Sequence, residues 1–318
     1  MEKLKTSLCL TIKNEEDSIV QLLRSIDAQS KLPDEVIIVD GGSTDNTLNM
    51  INKFKGKCKY KIRLIKLPNS TRSQGRNKAI SMSKYGVIAL TDAGCVLDKQ
   101  WLEKITLPII KGIADVVPGN YRVNTDKMSN FSVVATALTI HTPSSIYEDY
   151  LASSRSLAIT KNAWVKSGGY LDELNTAEDL VFVAKLKSCK LKHTNAPDAL
   201  VNWSPPKKFS KLLKTFFMYA YGDGLAGMDS PHAFRYGMKL FLLGIVFFVS
   251  AFRYKFILIS VILLLLWWLY QAAKLKINSD LLKRIPIITV LIVVICLFWV
   301  TLIGYVSGLI YSKLNMRK

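Results

Sequence analysis

The architecture of this protein follows from one segment, Val36-Ile37-Ile38-Val39-Asp40-Gly41-Gly42-Ser43-Thr44-Asp45-Asn46-Thr47. Four β-branched residues in succession, bounded by turn-forming residues, predict a short strand that is buried on both faces. Two glycines then allow a sharp turn, and one of the three residues after them can cap a helix that starts near Asn46. Asp40 is therefore expected at the carboxyl end of a strand, the edge where open α/β sheets bind ligands. An ordinary strand, turn and helix with a capping aspartate has the same signature.

Strand and helix patterns alternate on both sides of this segment. Before it, residues 7–12 predict a strand, and apolar residues with a 3.6-residue period predict a helix around 19–26. After it come a predicted helix at 46–55, strands at 61–67 and 86–91, a helix from Trp101 to about Ile110, a strand at 114–123, a helix at 127–140 and a strand at 198–203. The opening order β-α-β-α-β predicts an α/β fold with a mostly parallel, doubly wound sheet.

Two further features are predicted at the same sheet edge. The strand at 86–91 ends on Asp92-Ala93-Gly94-Cys95, so a second acid follows a strand as Asp40 does. Between the two acids, Arg72 and Arg76 lie one turn apart in a predicted helix. Guanidinium groups bind oxyanions through two parallel hydrogen bonds, so this pair is suited to a diphosphate. A solvated basic helix face is the alternative.

The composition is strongly basic. The chain of 318 residues has 43 lysines and arginines against 24 acids, a net charge of +19. No helix-turn-helix, zinc-finger or RNA-recognition signature accompanies this charge, so no nucleic acid is expected as a partner. Anionic lipid headgroups or phosphorylated substrates explain it better. The five cysteines are scattered and never spaced as Cys-x-x-Cys, which argues against a disulfide framework or a zinc site.

The composition changes near residue 237, which predicts two parts. Residues 1–237 are mixed in composition and begin without a secretory signal pattern, so this part is expected to stay in the cytosol. Residues 238–318 are mostly apolar and predict two or three transmembrane helices, with buried helices of a soluble protein as the alternative. The candidate spans are about 240–252, 256–273 and 285–311. Just before them, 206–237 contains an aromatic and basic amphipathic segment, typical of a helix in the headgroup region.

Four motifs, in this order, resemble those of the family 2 glycosyltransferases with a GT-A fold. They are Thr11-Ile12-Lys13-Asn14-Glu15, Asp40 to Thr47, Arg72 to Asn77, and Thr91-Asp92-Ala93-Gly94. Farther along, Gly168-Gly169-Tyr170 leads into Glu178-Asp179, which is similar to a Gly-Gly-aromatic segment and acidic pair in that family. The resemblance covers about residues 6–235. It implies an inverting glycosyltransferase that uses a nucleotide sugar, with a UDP-sugar favoured.

The resemblance also implies roles for individual residues. The nucleotide-sugar-binding residues would be Thr11, Asn14, Glu15, Asp40, Gly42, Ser43, Arg72, Arg76 and Asp92. Asp179 would be the general base that deprotonates the acceptor hydroxyl, with Glu178 on the acceptor side. Independently of the resemblance, Trp203 could stack on a sugar ring or cover the edge of the site on the acceptor side. From the residues alone, the acidic pair is more simply explained as complementing a helix dipole, and Trp203 is equally well a core aromatic. The predicted tether to the bilayer favours a membrane-associated or lipid-linked glycan as acceptor.

One position departs from the family pattern. The acidic motif of the family usually carries two acids one residue apart, and here the second acid is missing in Asp92-Ala93-Gly94. A divalent cation, Mg²⁺ or Mn²⁺, would have Asp92 as its carboxylate ligand and would otherwise depend on the diphosphate and water. The arginine pair could take over part of the charge neutralisation.

Two functions of other classes stay open. A catalytically silent member of the same fold, acting as a membrane scaffold or glycan-binding subunit, would bind a nucleotide without turnover. A nucleotidyltransferase on a similar sheet is less well supported, because Lys13-Asn14-Glu15-Glu16 stands where a glycine-rich basic loop is expected. A dehydrogenase is disfavoured, since no Gly-x-Gly-x-x-Gly follows the first strand.

Overall fold

The computed structural model describes residues 4–126, 128–139, 153–227 and 282–315, and a few isolated residues between 237 and 273. The chain divides into two compact units. The first comprises residues 1–124 and 142–204, and the second comprises 125–141 and 205–318. The predicted domain boundary at residue 237 stays a prediction.

The first unit combines two sheets with helices. Its strands are β1 (Thr6–Ile12), β2 (Glu35–Asp40), β3 (Ile62–Lys66), β4 (Val87–Leu90), β5 (Cys95–Leu97), β6 (Val116–Pro118), β7 (Asn120–Val123), β8 (Leu157–Thr160) and β9 (Leu200–Trp203). Its helices are α1 (Ile19–Asp27), α2 (Thr47–Lys55), α3 (Arg72–Ser81), α4 (Trp101–Ile110), α6 (Lys161–Lys166) and α7 (Glu178–Ser188). The described helices of the second unit include α5 (Asn130–Thr139), α8 (Phe209–Leu225) and α9 (Ile287–Asn315).

The main sheet has the strand order β3-β2-β1-β4-β8-β6. The first four strands run parallel, with Leu10 of β1 opposite Ile38 of β2. β8 runs antiparallel to its neighbours β4 and β6. The predicted α/β fold with a mostly parallel sheet is confirmed, and the antiparallel β8 makes the sheet mixed. Because parallel strands end at the same edge, Asp40 at the end of β2 and Asp92 after β4 lie at one edge of the sheet.

Both faces of this sheet are buried, as the β-branched run in β2 predicts. Val36 and Ile38 point to one face, Ile37 and Val39 point to the other, and all four are fully buried. Ile37 and Val39 belong to one apolar cluster with residues of α3, α6 and α7. α4 contacts β4, β6 and β8. The apolar side chains of β2 are therefore shielded from solvent on both faces, which fixes the strand inside the sheet.

The second sheet, β5-β9-β7, was not predicted, although its strand β9 was predicted at 198–203. The strand predicted at 114–123 breaks into β6 and β7 at Gly119. A Cβ atom there would lie 2.7 Å from the carbonyl oxygen of Ala199 and would also contact the Ser156 hydroxyl. The close approach requires glycine, and beyond it β7 leaves the main sheet and pairs with β9, which carries Trp203.

The second unit is built on close packing of α8 against α9. A Cβ atom at Gly304 of α9 would lie 2.5 Å from the carbonyl oxygen of Phe217, and one at Gly308 would lie 2.9 Å from the backbone nitrogen of Leu225. Small residues four apart let helix backbones approach closely. α5 joins this unit through contacts with both helices.

α9 is the one helix of the described ranges that is long and apolar enough to cross a bilayer, with a mean hydropathy of 3.0 over an 18-residue window in Ile287–Leu314. It lies where the last span was predicted, at 285–311. The spans predicted at 240–252 and 256–273 fall outside the described residues, apart from isolated positions. The headgroup location of 206–237 stays a prediction, and α8 is the helix described within that segment.

The glycines of α9 provide a test of this packing. Gly304→Ala and Gly308→Ala are each expected to destabilise the purified protein by about 1–3 kcal/mol, because the new methyl group meets backbone atoms that cannot move aside. The measurement is thermal unfolding in detergent or lipid. Ile303→Ala, on the exposed side of the same helix, is the control and should change the melting temperature little. An equal effect at all three positions would contradict this packing.

Candidate active site

Two loops at the carboxyl edge of the sheet are joined by hydrogen bonds. The Asn14 backbone N–H donates to the Ser43 hydroxyl at 2.9 Å, and the Asn14 side-chain oxygen accepts the Thr44 backbone N–H at 2.8 Å. The Glu15 backbone N–H donates to the Thr47 hydroxyl at 2.8 Å. Asn14 has a left-handed backbone with a φ of 57°, which asparagine tolerates better than most residues. The loops after β1 and β2 therefore form one continuous rim, composed of residues 13–18 and 41–47.

Two predicted acids, Glu15 in the rim and Asp40 directly before it, are held by hydroxyl groups. The Asp40 carboxylate accepts a hydrogen bond from the Ser43 hydroxyl at 2.6 Å and one from the Gly42 backbone N–H at 3.2 Å. The Glu15 carboxylate accepts a hydrogen bond from the Ser18 hydroxyl at 2.6 Å, and burial raises the pKa of Glu15. Asp40 thus orders the turn that starts the second loop. The predicted contacts of these residues with a nucleotide sugar stay predictions.

α3 carries the two predicted arginines to this edge. Thr71 and Gln74 form a capping box: the Thr71 hydroxyl accepts the Gln74 N–H at 3.1 Å, and the Gln74 side chain accepts the Thr71 N–H at 3.0 Å. One turn later Gly75 faces Thr11 of β1, and a Cβ atom there would lie 2.9 Å from the Thr11 Cβ and still closer to its hydroxyl. Only glycine allows α3 to approach the strand so closely.

Arg76 lies at the centre of a cluster of acids. Its guanidinium donates to Glu178 at 2.6 Å, to Asp179 at 3.0 Å and to Asp92 at 2.7 Å. The Arg76 side chain is 2% exposed, so it is completely enclosed by these partners and by the ring of Tyr170. The sequence predicts Arg76 as a diphosphate ligand, and its contacts in the structure are with carboxylates. The predicted donor contact of Arg76 stays a prediction.

Arg72 occupies a different environment on the same helix. Its side chain is 41% exposed, and its guanidinium donates to Glu178 at 3.3 Å. Its backbone N–H donates to the Asn175 side chain at 2.9 Å, which ties the start of α3 to the loop before α7. Arg72 is thus the arginine of the pair that a solvent-borne anion can reach.

The adjacent acids Glu178 and Asp179 begin α7, and their pKa values are shifted in opposite directions. Glu178 is 3% exposed, and burial followed by the nearby Asp179 charge raises its pKa to about 7. Burial acts to raise the pKa of Asp179 too, but the Arg76 guanidinium beside it holds that pKa below its usual range. Ala177, which precedes the pair, has a left-handed backbone with a φ of 59°. That rare conformation for alanine turns both acids into the cluster.

The sequence interpretation missed the segment that holds Asp179 from the other side. The Ser153 hydroxyl and the Ser154 backbone N–H donate to the Asp179 carboxylate at 3.0 and 3.1 Å. The Ser154 hydroxyl is 2.7 Å from the Tyr170 hydroxyl. Asn77 binds the backbone of Tyr170 through both ends of its amide, at 2.8 and 3.0 Å. The signal available in the sequence was an arginine among serines, directly before a strand.

Trp203 and Arg155 form a stacked pair at the same edge. The Arg155 guanidinium lies 4.3 Å from the Trp203 ring centroid, and its Nε lies 4.0 Å from the Asp92 carboxylate. Trp203 is buried on β9. Its predicted place on the acceptor side stays a prediction, as does that of Glu178.

The donor set around Asp92 does not fit a divalent cation. Among the residues that the structure describes, no three histidine, cysteine, aspartate or glutamate side chains are grouped to hold a metal ion. Asp92 pairs with Arg76 and lies beside Arg155, and Gly94 offers no side-chain ligand. Mg²⁺ and Mn²⁺ take several oxygen ligands, and at Asp92 the described residues offer a single carboxylate that is already paired with a guanidinium. The predicted cation at Asp92 stays a prediction.

The two arginines of α3 are expected to differ in their effect on stability. Arg76→Ala removes the shared partner of three acids and leaves Glu178 buried without its shortest ion pair, which should cost about 3–5 kcal/mol. Arg72→Ala removes a partly exposed pair and should cost about 0–1 kcal/mol. Chemical denaturation of both variants measures this difference. Similar losses would argue against Arg76 as the buried centre.

The free energy of unfolding should change with pH as Glu178 ionises. Its pKa rises from 4.5 to about 7 on folding, so its contribution is complete below about pH 4.5 and is lost as the pH rises through 7. Glu178→Gln cannot ionise, and its stability relative to wild type should improve between pH 5 and 8 by on the order of 2 kcal/mol. Exposed Glu173→Gln is the control. A pH-independent difference between Glu178→Gln and wild type would refute this assignment.

Comparisons with known proteins identify the family of this chain and its relatives. The family model for glycosyl transferase family 2 matches residues 7–166. Glycosyltransferase AglE of Haloferax volcanii is 25% identical over 225 residues, which cover 68% of this chain and 72% of AglE. Poly(ribitol-phosphate) β-N-acetylglucosaminyltransferase TarS of Staphylococcus aureus is 25% identical over 189 residues, which cover 57% of this chain and 32% of TarS.

A solved structure shares the fold. The crystal structure of Staphylococcus aureus TarS 1–349 in complex with UDP-GlcNAc superposes with a TM-score of 0.50 at 17% identity. The superposition covers 72% of this chain and 68% of that chain, and it supports the α/β GT-A fold. Since the family model covers half of the sequence and contains the rim, both arginines of α3 and Asp92, this chain belongs to glycosyl transferase family 2 and is a glycosyltransferase.

Proposed function

We propose that this glycosyltransferase moves a sugar from a nucleotide-sugar donor to a hydroxyl of a membrane-associated or lipid-linked glycan, with inversion and with Asp179 as general base. The observation that carries the proposal is the placement of the Asp179 carboxylate. It is held by Arg76 and Ser153 in the same cluster as Asp92, and its side chain is 20% exposed. A base that acts on an external hydroxyl has to combine fixed geometry with access from solvent.

The charge state of Asp179 suits this step. A depressed pKa keeps the carboxylate unprotonated at neutral pH. As the acceptor oxygen bonds to the anomeric carbon, the bond from that carbon to the diphosphate oxygen breaks, and the acceptor hydroxyl becomes a strong acid. Its proton then passes to Asp179, and the nucleoside diphosphate leaves with the electron pair of the broken bond. Glu178, with its raised pKa, lies deeper and is suited to supporting the acceptor side of the site.

The rim and Arg72 form the donor side in this proposal. Backbone groups of the rim, with Asp40 and Glu15, are placed where open α/β sheets bind nucleotides. Exposed Arg72 would contact the diphosphate, and Asp92 would contact the ribose. A UDP-sugar is the favoured donor, since the solved relative TarS was crystallised with UDP-GlcNAc. The chain spans less than a third of the length of TarS, so the acceptor of TarS is not transferred to this protein.

The membrane-associated acceptor is inferred from the second unit. α9 is long and apolar enough to cross a bilayer, and the chain carries a net charge of +19, which favours anionic lipid surfaces. We place the catalytic unit in the cytosol, where nucleotide sugars are made, with a multi-pass anchor formed by α9 and the apolar residues before it. A lipid-linked glycan would then reach Asp179 from the bilayer surface.

Asp179→Asn tests the proposal directly. Release of nucleoside diphosphate from a panel of sugar nucleotides should fall about 10²–10⁴-fold, because the amide accepts no proton, while donor binding persists. The protein is assayed in lipid with membrane extract as acceptor source, with and without Mg²⁺ or Mn²⁺. Exposed Glu173→Gln is the matched control and should keep full turnover.

The other outcomes separate the alternatives. Donor binding by wild type without any turnover would favour the catalytically silent scaffold. The observation that suggests this alternative is the glycine at residue 94, where the family usually has a second acid. Turnover that survives in Asp179→Asn would remove Asp179 as the base while leaving the transferase intact. No binding by any donor would overturn the whole proposal.

A further inference from the structure

Arg155 is positioned at the edge of the main sheet by its own backbone. It lies in the segment before β8, and the Thr91 hydroxyl donates to its carbonyl oxygen at 3.0 Å. Thr91 directly precedes Asp92, so this bond holds the Arg155 backbone beside the acid that follows β4. Nη1 of Arg155 also donates to the Ser153 hydroxyl at 3.3 Å, and that hydroxyl donates to Asp179. Arg155 is therefore tied to both ends of the reaction site.

Two aromatic rings fix the direction of the guanidinium. It stacks on Trp203 at 4.3 Å from the ring centroid and lies 5.5 Å from the centroid of Tyr121. Both rings come from the small sheet, on β9 and β7, so the second sheet forms a rigid seat for this one cation. The Arg155 side chain is 18% exposed, which leaves it accessible to a ligand from one side. A guanidinium stacked in this way directs its N–H groups within its own plane, where they donate hydrogen bonds.

The seat lies where the acidic motif of the family is incomplete. A Cβ atom at Gly94 would lie 3.6 Å from Nε1 of Trp203, so that position faces the ring under Arg155. A longer acidic side chain at residue 94 would project toward the indole and the guanidinium. The missing carboxylate and the stacked arginine are thus parts of one arrangement. Arg155 lies beside the position at which the family usually has its second acid.

The charges of the cluster favour a permanent cation over a bound metal. Asp92 is already paired with Arg76 at 2.7 Å, whereas its approach to Arg155 is longer, 4.0 Å. A divalent cation at Asp92 would have to approach both guanidinium groups and would be repelled by them. A diphosphate that approaches Arg155 and Arg72 carries the opposite charge and is attracted to both, and Arg76 offsets part of the charge of the neighbouring acids.

We propose that Arg155 binds the diphosphate of the donor and stabilises it as it departs, so that transfer proceeds without a divalent cation. When the bond between the anomeric carbon and the diphosphate oxygen breaks, that oxygen keeps the electron pair and gains negative charge. Arg155 donates hydrogen bonds to the diphosphate oxygens through preorganised N–H groups that need no rearrangement. This inference rests on the proposed function, because it concerns the donor of that same reaction.

Nucleotide binding without metal is the first test. The full chain in lipid is titrated with UDP, GDP, CDP and ADP, each in EDTA, and the tightest ligand is compared with its nucleoside. Wild type should bind the diphosphate in EDTA, with a Kd that changes less than about threefold when Mg²⁺ or Mn²⁺ replaces EDTA. Arg155→Ala should weaken the diphosphate about 10–100-fold while binding of the nucleoside changes less than about twofold.

Turnover gives the second test and includes the controls. In EDTA, Arg155→Ala should lower kcat about 10²–10³-fold, and Arg155→Lys should recover part of this loss, because it restores the charge without the planar fork. Arg122→Ala, an exposed arginine of the same small sheet, should keep wild-type binding and turnover. Thermal unfolding of each variant confirms that it folds. The metal dependence of wild type is measured without any variant, so that part of the test does not depend on how the variants fold.

Three results would overturn the inference while leaving the transferase in place. They are wild-type turnover that is abolished by EDTA and restored by Mg²⁺ or Mn²⁺, equal loss of nucleoside and diphosphate binding in Arg155→Ala, and kcat in that variant within about threefold of wild type. Failure of wild type to bind any nucleotide with or without metal would instead count against the proposed function.

Discussion

The candidate active site depends on one buried cation. Arg76 draws together three carboxylates from two distant segments, Asp92 after β4 and the pair Glu178 and Asp179 at the start of α7. Without a shared positive partner, acids this close would repel one another, and burial would add to that cost. The glycine contact between α3 and β1, the capping box and the amide of Asn77 all act to hold α3 where Arg76 can reach the three acids. The site is therefore assembled by electrostatics on a scaffold that packing makes rigid.

The same cluster gives neighbouring acids different chemistry. The Arg76 guanidinium holds the pKa of Asp179 below its usual range, while burial raises the pKa of Glu178, which lies deeper. Ala177, with its left-handed backbone, directly precedes this pair of acids, and such strained conformations cluster at functional sites. Separate pKa values for adjacent carboxylates are a common way in which a protein divides proton transfer from charge support.

The sequence predicted what local patterns determine and missed what distant contacts determine. The apolar periods of α1 and β2 and the alternation of strands and helices predicted the parallel part of the sheet, and the rule that parallel strands end at one edge singled out Asp40 and Asp92. Helical spacing placed Arg72 and Arg76 on one face but carried no information on burial, which makes one a surface residue and the other the centre of the cluster. Arg155 escaped notice because its seat joins Tyr121 and Trp203, two residues far apart in the chain. The break at Gly119 is likewise set by Ala199, across the small sheet.

The second unit is formed by two separate segments of the chain, and this has a consequence for biosynthesis. α5 lies in sequence between two segments of the first unit, yet it packs with α8 and α9, and α9 begins only at Ile287. A ribosome therefore delivers the whole of the first unit, through Ser204, before the main helical partner of α5 has been made. During that interval the apolar side of α5, including Val134 and Ala135, needs a temporary cover such as a chaperone or the bilayer surface. A single truncation cannot give the complete first unit without α5, because α5 lies between the two segments that form this unit.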